Sequence, residues 1–304
     1  LTAEQFIDQA GVLSIFRNYN LERYFHGIVF SFTKGNSGSR HTFYKLELVP
    51  ELSRLSLRYN SRIFQAMTVE EIAQKIFKEM HIEEYQFHLK HRLEAREFCV
   101  QYAESDLHFL ERIFAEEGIF YYFQHSDTLH TLMLVDNNIF SLPLPAQLFN
   151  NNEGGVSDLS YIQSLERTAN VAPSTASLND YTFKNPKYPL HIKRRNEKIT
   201  PQNELYEHYM YPGRYKDQSV GEFFTETRLN YLRNESNTIQ CSSNSAPIVA
   251  GYHFSILDHF DLDEKQKWLV TRVLHRGKQH QSLEEAGGDT GYTQYSNEFY
   301  ALPH

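Results

Sequence analysis

Between residues 68 and 80 the apolar positions Val69, Ile72, Ala73, Ile76, Phe77 and Met80 recur at three- and four-residue spacing, which lines one side of a helix. Thr68 and Glu71 are spaced as a capping box, each side chain serving the other's backbone N–H. A second helix is predicted over residues 106–117. Ser105 stands where a side chain accepts from an orphan N–H, and Asp106 adds negative charge at the positive end of the helix dipole. Leu107, Leu110, Ile113 and Phe114 form its apolar stripe, and Arg112 and Glu116 are spaced to pair on its wet side. Gly118 follows where a left-handed terminus wants glycine.

Elsewhere the period is closer to two. Strands are predicted over residues 23–33, 41–49 (stopped by Pro50) and 52–57, with a turn at 34–38. Further strands are expected at 85–89, 96–102, 162–169, 179–183, 191–195, 248–257 and 268–275, and a hairpin, carrying Tyr121 and Tyr122, from 119–124 and 131–136. Residues 3–10 read as a short helix or connecting arm, and 219–235 as a helix with an untidy stripe of Val220, Phe223, Phe224, Tyr231 and Leu232. Residues 149–155 give the strongest linker signal; 186–189, 211–216 (with Pro212 and Gly213) and 284–291 read as loops or turns. Thr42-x-Tyr44-x-x-Glu47 recurs as Thr293-x-Tyr295-x-x-Glu298, each followed by a proline, Pro50 and Pro303, and each preceded by a strand and a glycine turn. That repeat is short enough to arise by chance, or it marks two related β-domains.

The chain of 304 residues is long enough for two domains, and 20 Tyr and 22 Phe tilt it toward strands and interfaces. A net charge of −8 argues against a dedicated nucleic-acid binder. The most basic window, 184–198, reads as a solvated loop and strand edge before it reads as a phosphate patch. Cys99 and Cys241, outside any CxxC, read as buried thiols. No apolar run reaches membrane-span length and no signal peptide is visible, although the first residue is not Met, so an upstream signal stays open.

Candidate chemistry is sparse. GxSxG, P-loop, HExxH and GxGxxG are missing from the sequence. His88 and His91 fall on opposite faces of an extended segment and read as structural or exposed rather than as a metal pair. Glu116 and Glu117, adjacent on a helix, point about 100° apart and do not converge on one substrate atom. Asp258, His259 and Asp261 lack a nucleophile nearby in sequence, which leaves pairing with a distant Ser open. The tyrosines at 121–122 and 206–211 read as core and subunit contacts before a carbohydrate platform. No catalytic, cofactor or metal residue is assigned.

A resemblance adds to this. Residues 104–107 (ESDL), followed by a helix ending EEGI and an aromatic YYF, resemble the N-terminal hub region of the valine–glycine repeat (VgrG) spike proteins of type VI secretion, a region similar to the contractile phage tail hub. LELVP at 46–50, RIFQ at 62–65, residues 68–72, REFCVQ at 96–101, DYTFK at 180–184, YPGRYK at 211–216 and WLVT at 268–271 continue it in family order. The resemblance implies a β-rich α+β fold with two antiparallel tube-like β-barrel domains and inserted α+β segments. The barrels would occupy residues 1–60 (N-terminally incomplete) and 151–304 (with a helical insertion), and 61–150 would be the α+β insertion. It implies a non-enzymatic homotrimer that caps a hexameric tube of haemolysin-coregulated protein. That trimer would assemble in the bacterial cytoplasm and be propelled out through the type VI apparatus, needing no cofactor. The family's needle and effector modules are not in this chain, and a contractile phage or prophage hub is the alternative. A glycan-binding or glycan-cleaving protein, which needs converging carboxylates in an aromatic cleft, is the rival from another class. Glu104, Ser105, Asp106, Leu107, Gly118, Tyr121, Tyr122, Pro50, Pro212 and Gly213 are then structural family markers.

Overall fold

The structure, a computed structural model, describes residues 1–38, 42–150, 160–196, 205–279 and 294–304. The chain divides into two compact units, Leu1–Asp136 and Asn137–His304, and is mostly β.

The first unit opens with a 3-10 turn, Ala3–Gln5, and an antiparallel meander of β1 (Ala10–Arg17), β2 (Asn20–Ser37) and β3 (Thr42–Val49). The strand β1 escaped the sequence reading. The expected turn at 34–38 is also corrected: β2 runs through Ser37, its ladder kinked between Lys34 and Ser37. The third predicted strand, 52–57, is instead a 3-10 helix, Glu51–Ser56. Leu-x-x-Leu-x-Leu contains one three-residue and one two-residue spacing, and the three-residue spacing wins: Leu52 and Leu55 enter the core while Leu57 is exposed.

Then follow β4 (Tyr59–Met67), α1 (Val69–Glu79), β5 (Tyr85–His88), β6 (Arg96–Ser105), α2 (Asp106–Glu116), β7 (Phe120–His125) and β8 (His130–Val135). β4 pairs with β6, and β8 lies between β5 and β7. The Thr68–Glu71 capping box is formed, with both reciprocal bonds present. Ile72, Ile76 and Phe77 of α1 and Phe109, Leu110 and Ile113 of α2 share one core with Leu55 and Phe64. Phe109, missing from the predicted stripe, is fully buried and stacks on Phe64 at 5.5 Å, whereas Leu107 is only partly buried.

The second unit contains β9 (Leu142–Pro143), β10 (Gln147–Phe149), β11 (Tyr161–Ala169), β12 (Thr175–Asn179), β13 (His191–Arg195), β14 (Glu207–Met210), α3 (Gln218–Arg233), β15 (Asn237–Ser243), β16 (Tyr252–Leu257), β17 (Lys267–Lys278) and β18 (Gln294–Pro303). Seven strands run in the order β10-β11-β15-β18-β17-β16-β9, and β10 also pairs with β16, so the sheet closes on itself. Ile162, Cys241, Phe254, Trp268, Val270 and Phe299 fill it. A smaller sheet, β13-β12-β14, carries α3 over Leu178, Ile192 and Tyr215. The predicted strand at 179–183 ends at Asn179, because the Asp180 carboxylate turns back onto the Tyr181 N–H. On α3 the buried positions are Gly221, Phe224, Thr225 and Leu229; Tyr231, expected in the stripe, is exposed. Most of the predicted linker at 149–155 and the loop at 284–291 lie outside the described residues.

The meander β16-β17-β18 matches β1-β2-β3 strand for strand. Each central strand has a bulge: after Val29, opposite Leu48 and Glu47, and after Val270, opposite Ala301 and Tyr300. The return strand reaches Pro50 and Pro303 two residues beyond Leu48 and Ala301. One step before each bulge, Ala10 pairs with Ile28 and His253 with Leu269. The sequence repeat therefore found the matching strands two residues out of step, since the bulges equate Glu47 with Tyr300 rather than with Glu298. Thr293 lies outside the described residues.

Candidate functional site

The four residues 104–107 lie where β6 passes into α2, and each has a separate task. Glu104 accepts from the Arg112 guanidinium through both oxygens, at 2.6 and 3.3 Å, which ties the strand end to the second turn of the helix. Burial pushes the Glu104 carboxyl up, but Arg112 outweighs it and holds the group below the ordinary carboxylate range. Ser105 Oγ accepts from the His108 N–H at 3.2 Å, closing the N-terminus of the helix. Leu107 packs at the core margin.

Asp106 does more than complement a dipole. Its side chain is fully buried and accepts from Arg58, from Arg62 at 3.2 Å and from Gln101 Nε2 at 2.8 Å. Both arginines also reach Glu79, at 2.8 and 2.7 Å, which links the end of α1 to the start of α2. At the far end Gly118 has φ 70°, Ile119 N–H donates to Phe114 O at 2.8 Å and Gly118 N–H to Ala115 O at 3.4 Å. That is the double-bonded left-handed cap. Tyr122 is buried, and Tyr121 OH donates to Glu111 at 2.8 Å; burial, then Glu111, pushes the Tyr121 phenol up. Pro50 begins the 3-10 helix.

Pro212 and Gly213 belong to a second assembly, in the second unit. Asp180 accepts from the N–H groups of Tyr181 and Arg214 and from Lys216 Nζ, each at 2.6 Å, so the DYTFK and YPGRYK segments meet at one carboxylate. The Tyr211–Pro212 peptide is cis. Gly213 N–H donates to Asn179 O at 2.8 Å, and a Cβ on Gly213 would lie 2.4 Å from Tyr215 Cε1. The Tyr215 hydroxyl points between the carbonyls of Leu178 and Leu190; burial, then Asp180, pushes it up to about 12.

Among the described residues, the titratable groups outside these assemblies are engaged in contacts of their own. Glu116 and Glu117 both bind Arg96, at 2.6 and 2.7 Å, while Arg112, the expected partner of Glu116, is 3.6 Å away. Glu116 is thus a shared anchor between β6 and α2 as well as the expected i,i+4 partner of Arg112. Ser141 Oγ lies 2.8 Å from His253 Nδ1 and 3.0 Å from His304 Nε2, but its proton goes to Asn138 O at 2.7 Å. While the hydroxyl donates to that carbonyl, neither imidazole is taking its proton. Asp261 N–H donates to His259 Nδ1, and the His259 ring packs on Phe149 and Phe260. Lys193 and Arg194 of the basic window pair with Glu207 and Glu222; residues 197 and 198 lie outside the described residues. His88 and His91 are exposed. Among the described residues, no three His, Cys, Asp or Glu are grouped to hold a metal ion, and no helix is long and apolar enough to cross a membrane.

Sequence reasoning missed one cluster. His26 on β2, His125 at the end of β7 and His130 at the start of β8 converge, with ring centroids 5.3–6.0 Å apart. Only their proximity in space reveals it; no spacing in the chain announces it.

The profile of the phage tail baseplate hub (GPD) family matches residues 1–281. Two Vibrio cholerae proteins, the actin cross-linking toxin VgrG1 and the type VI secretion system spike protein VgrG3, are each 43% identical over 100% of this chain. This chain covers 28% and 30% of their lengths, under a third of each. The Pseudomonas aeruginosa type VI secretion system spike protein VgrG2b is 35% identical over 94% of the chain, which covers 28% of it. In fold, the chain is similar to an Escherichia coli component of the type VI secretion system, itself structurally similar to T4 bacteriophage tail proteins (TM-score 0.71, 19% identity, 100% of this chain and 66% of that one). It is also similar to a tail protein of Neisseria meningitidis (TM-score 0.63, 14% identity, 92% and 79%). By the match along residues 1–281 and the identity that runs the length of the chain, the protein belongs to the phage tail baseplate hub (GPD) family.

Proposed function

We propose that this chain is the structural hub of a type VI secretion spike. In this reading it is a non-enzymatic homotrimer that caps the hexameric tube of haemolysin-coregulated protein, assembles in the cytoplasm and is expelled with the apparatus to deliver effectors. The observation that carries it is 43% identity along the whole chain to a Vibrio cholerae type VI spike protein. The paired meanders support two related β units of tube type, as a three-fold assembly matching a six-fold tube requires. Residues 1–60 and 151–304 are the β units of this reading, with 61–150 inserted and the strands at 142–149 completing the second. The family-marker residues brace that frame.

A subunit contact needs apolar surface. Ile63, Phe98, Val100 and Tyr102 supply it on the outer face of β4–β6, at 61%, 60%, 47% and 78% exposure. Light scattering over a wide concentration range tests the assembly: three times the protomer mass is expected, and a clean monomer throughout would overturn it. A second reading, a contractile phage or prophage tail hub, is favoured by the likeness to the Neisseria meningitidis tail protein. Co-sedimentation with the tube protein of each system separates the two. A glycosidase role is disfavoured because Glu116 and Glu117 are both committed to Arg96.

A further inference from the structure

The histidine cluster joins three parts of the first unit: β2 of the meander, the β7–β8 hairpin and the 3-10 helix after Pro50. Its protonation pattern follows from the bonds. Glu51 N–H donates to His130 Nε2 at 2.9 Å, so that nitrogen carries no proton. Neutral His130 then carries its proton on Nδ1 and donates it to His26 Nδ1, 2.9 Å away. His26 accepts there and holds its own proton on Nε2. His125 Nδ1 faces the His26 backbone, 3.2 Å from N and 3.1 Å from O. A proton added to His130 Nε2 would face the Glu51 N–H, donor against donor.

The charges around the cluster offer no relief. Arg23 on β2 bears on His125 and Arg54 on the 3-10 helix bears on His130, both cationic. Arg54 is itself paired with Asp8 at 2.8 Å and Glu51 at 3.6 Å, and neither these carboxylates nor Asp127 in the β7–β8 turn is among the groups that shift His125 or His130. Val12, opposite His26 on β1, does not titrate.

We infer that His26, His125 and His130 form an acid-sensitive latch, which holds the β7–β8 hairpin and the 3-10 helix to the meander while neutral and releases them on protonation. Burial first, then the neighbouring cations and imidazoles, lowers His125 and His130 from the ordinary 6.5 to about 4. Between those limits the unfolded chain binds protons that the native protein refuses. The contribution of these two histidines to stability therefore falls as pH drops through the window and levels off below it.

The test follows the thermal midpoint from pH 7 to 4, with side-chain NMR titration of the histidines. The midpoint should fall with pH. The protons taken up on unfolding near pH 5, read from the slope, should drop by about one in His130→Gln, whose side-chain oxygen still accepts from Glu51 N–H. Amide exchange at Glu51 and along β7–β8, corrected for intrinsic rates, should quicken in acid only in the parent protein. An unchanged slope in H130Q overturns the latch. If that variant fails to fold, NMR on the parent decides, and a His130 pKa at or above 6 overturns it equally.

Discussion

Gln101 Nε2 donates to Asp106 Oδ1 at 2.8 Å, and both side chains are fully buried. An ionised carboxylate is tolerated in such a place only when its oxygens are occupied, and Arg58 and Arg62 complete the set. Side chains from β4, from β6 and from the segment just before β4 thus converge on the first carboxylate of α2.

Asp106→Asn keeps the shape and removes the charge. The two arginines are 29% and 21% exposed, which tempers the cost of leaving them unmatched. The loss expected is about 2–3 kcal/mol, read as a lower urea midpoint with an unchanged slope. Glu79→Gln, removing the more exposed carboxylate of the same network, is expected to cost under about 1 kcal/mol. Equal effects from the two would show that the buried carboxylate does not hold the helix start.

Gly118 sits at φ 70°. Gly118→Ala is expected to cost about 1–2 kcal/mol, because a Cβ crowds the carbonyl in the left-handed region. Gly118→Asn should cost less, since asparagine visits that region. Calorimetry on the pair is decisive: a ranking with alanine the milder would rule out backbone conformation as the reason for glycine here.

What the sequence made legible was local. The start and stop of α2 could be read because Ser105 and Gly118 act on backbone groups within three or four residues of themselves. The partners of Asp106 could not, because Arg58 and Arg62 lie 48 and 44 residues upstream. The histidine latch was invisible for the same reason, its members standing 99 and 104 residues apart. The misread strand at 52–57 has another cause: Leu52 and Leu55 are three apart while Leu55 and Leu57 are two apart, and only packing chooses between the two spacings. The family motifs carried the fold further than periodicity did, since DYTFK and YPGRYK name two segments that meet at Asp180.

Cys99 and Cys241 are 6% and 1% exposed, and burial pushes both thiols up; the field of Arg96 partly offsets this at Cys99 alone. Reactivity belongs to the thiolate, so both should resist a thiol-specific disulfide reagent at pH 8 in the native protein. In urea both should react at once, and at intermediate urea Cys99 should lead. Rapid native labelling of Cys241 would contradict the closed sheet around it.

The outer face of β4–β6 offers the most direct test of assembly. Ile63 pairs across the strands with Val100, and Gln65 with Phe98, while the opposite face, Phe64 and Cys99, is buried. A charge at Ile63 therefore disturbs the exposed side and leaves the core alone. Ile63→Asp is expected to shift the thermal midpoint of the protomer by no more than about 0.5 kcal/mol in stability terms. The same change should weaken self-association at least tenfold, about 1.4 kcal/mol, by burying a carboxylate in an apolar contact. Sedimentation velocity on the parent and the variant at matched concentrations reads both populations. Unaltered association with Asp at 63 would move the subunit contact to another surface, whereas loss of folding would place Ile63 in the core, against its 61% exposure.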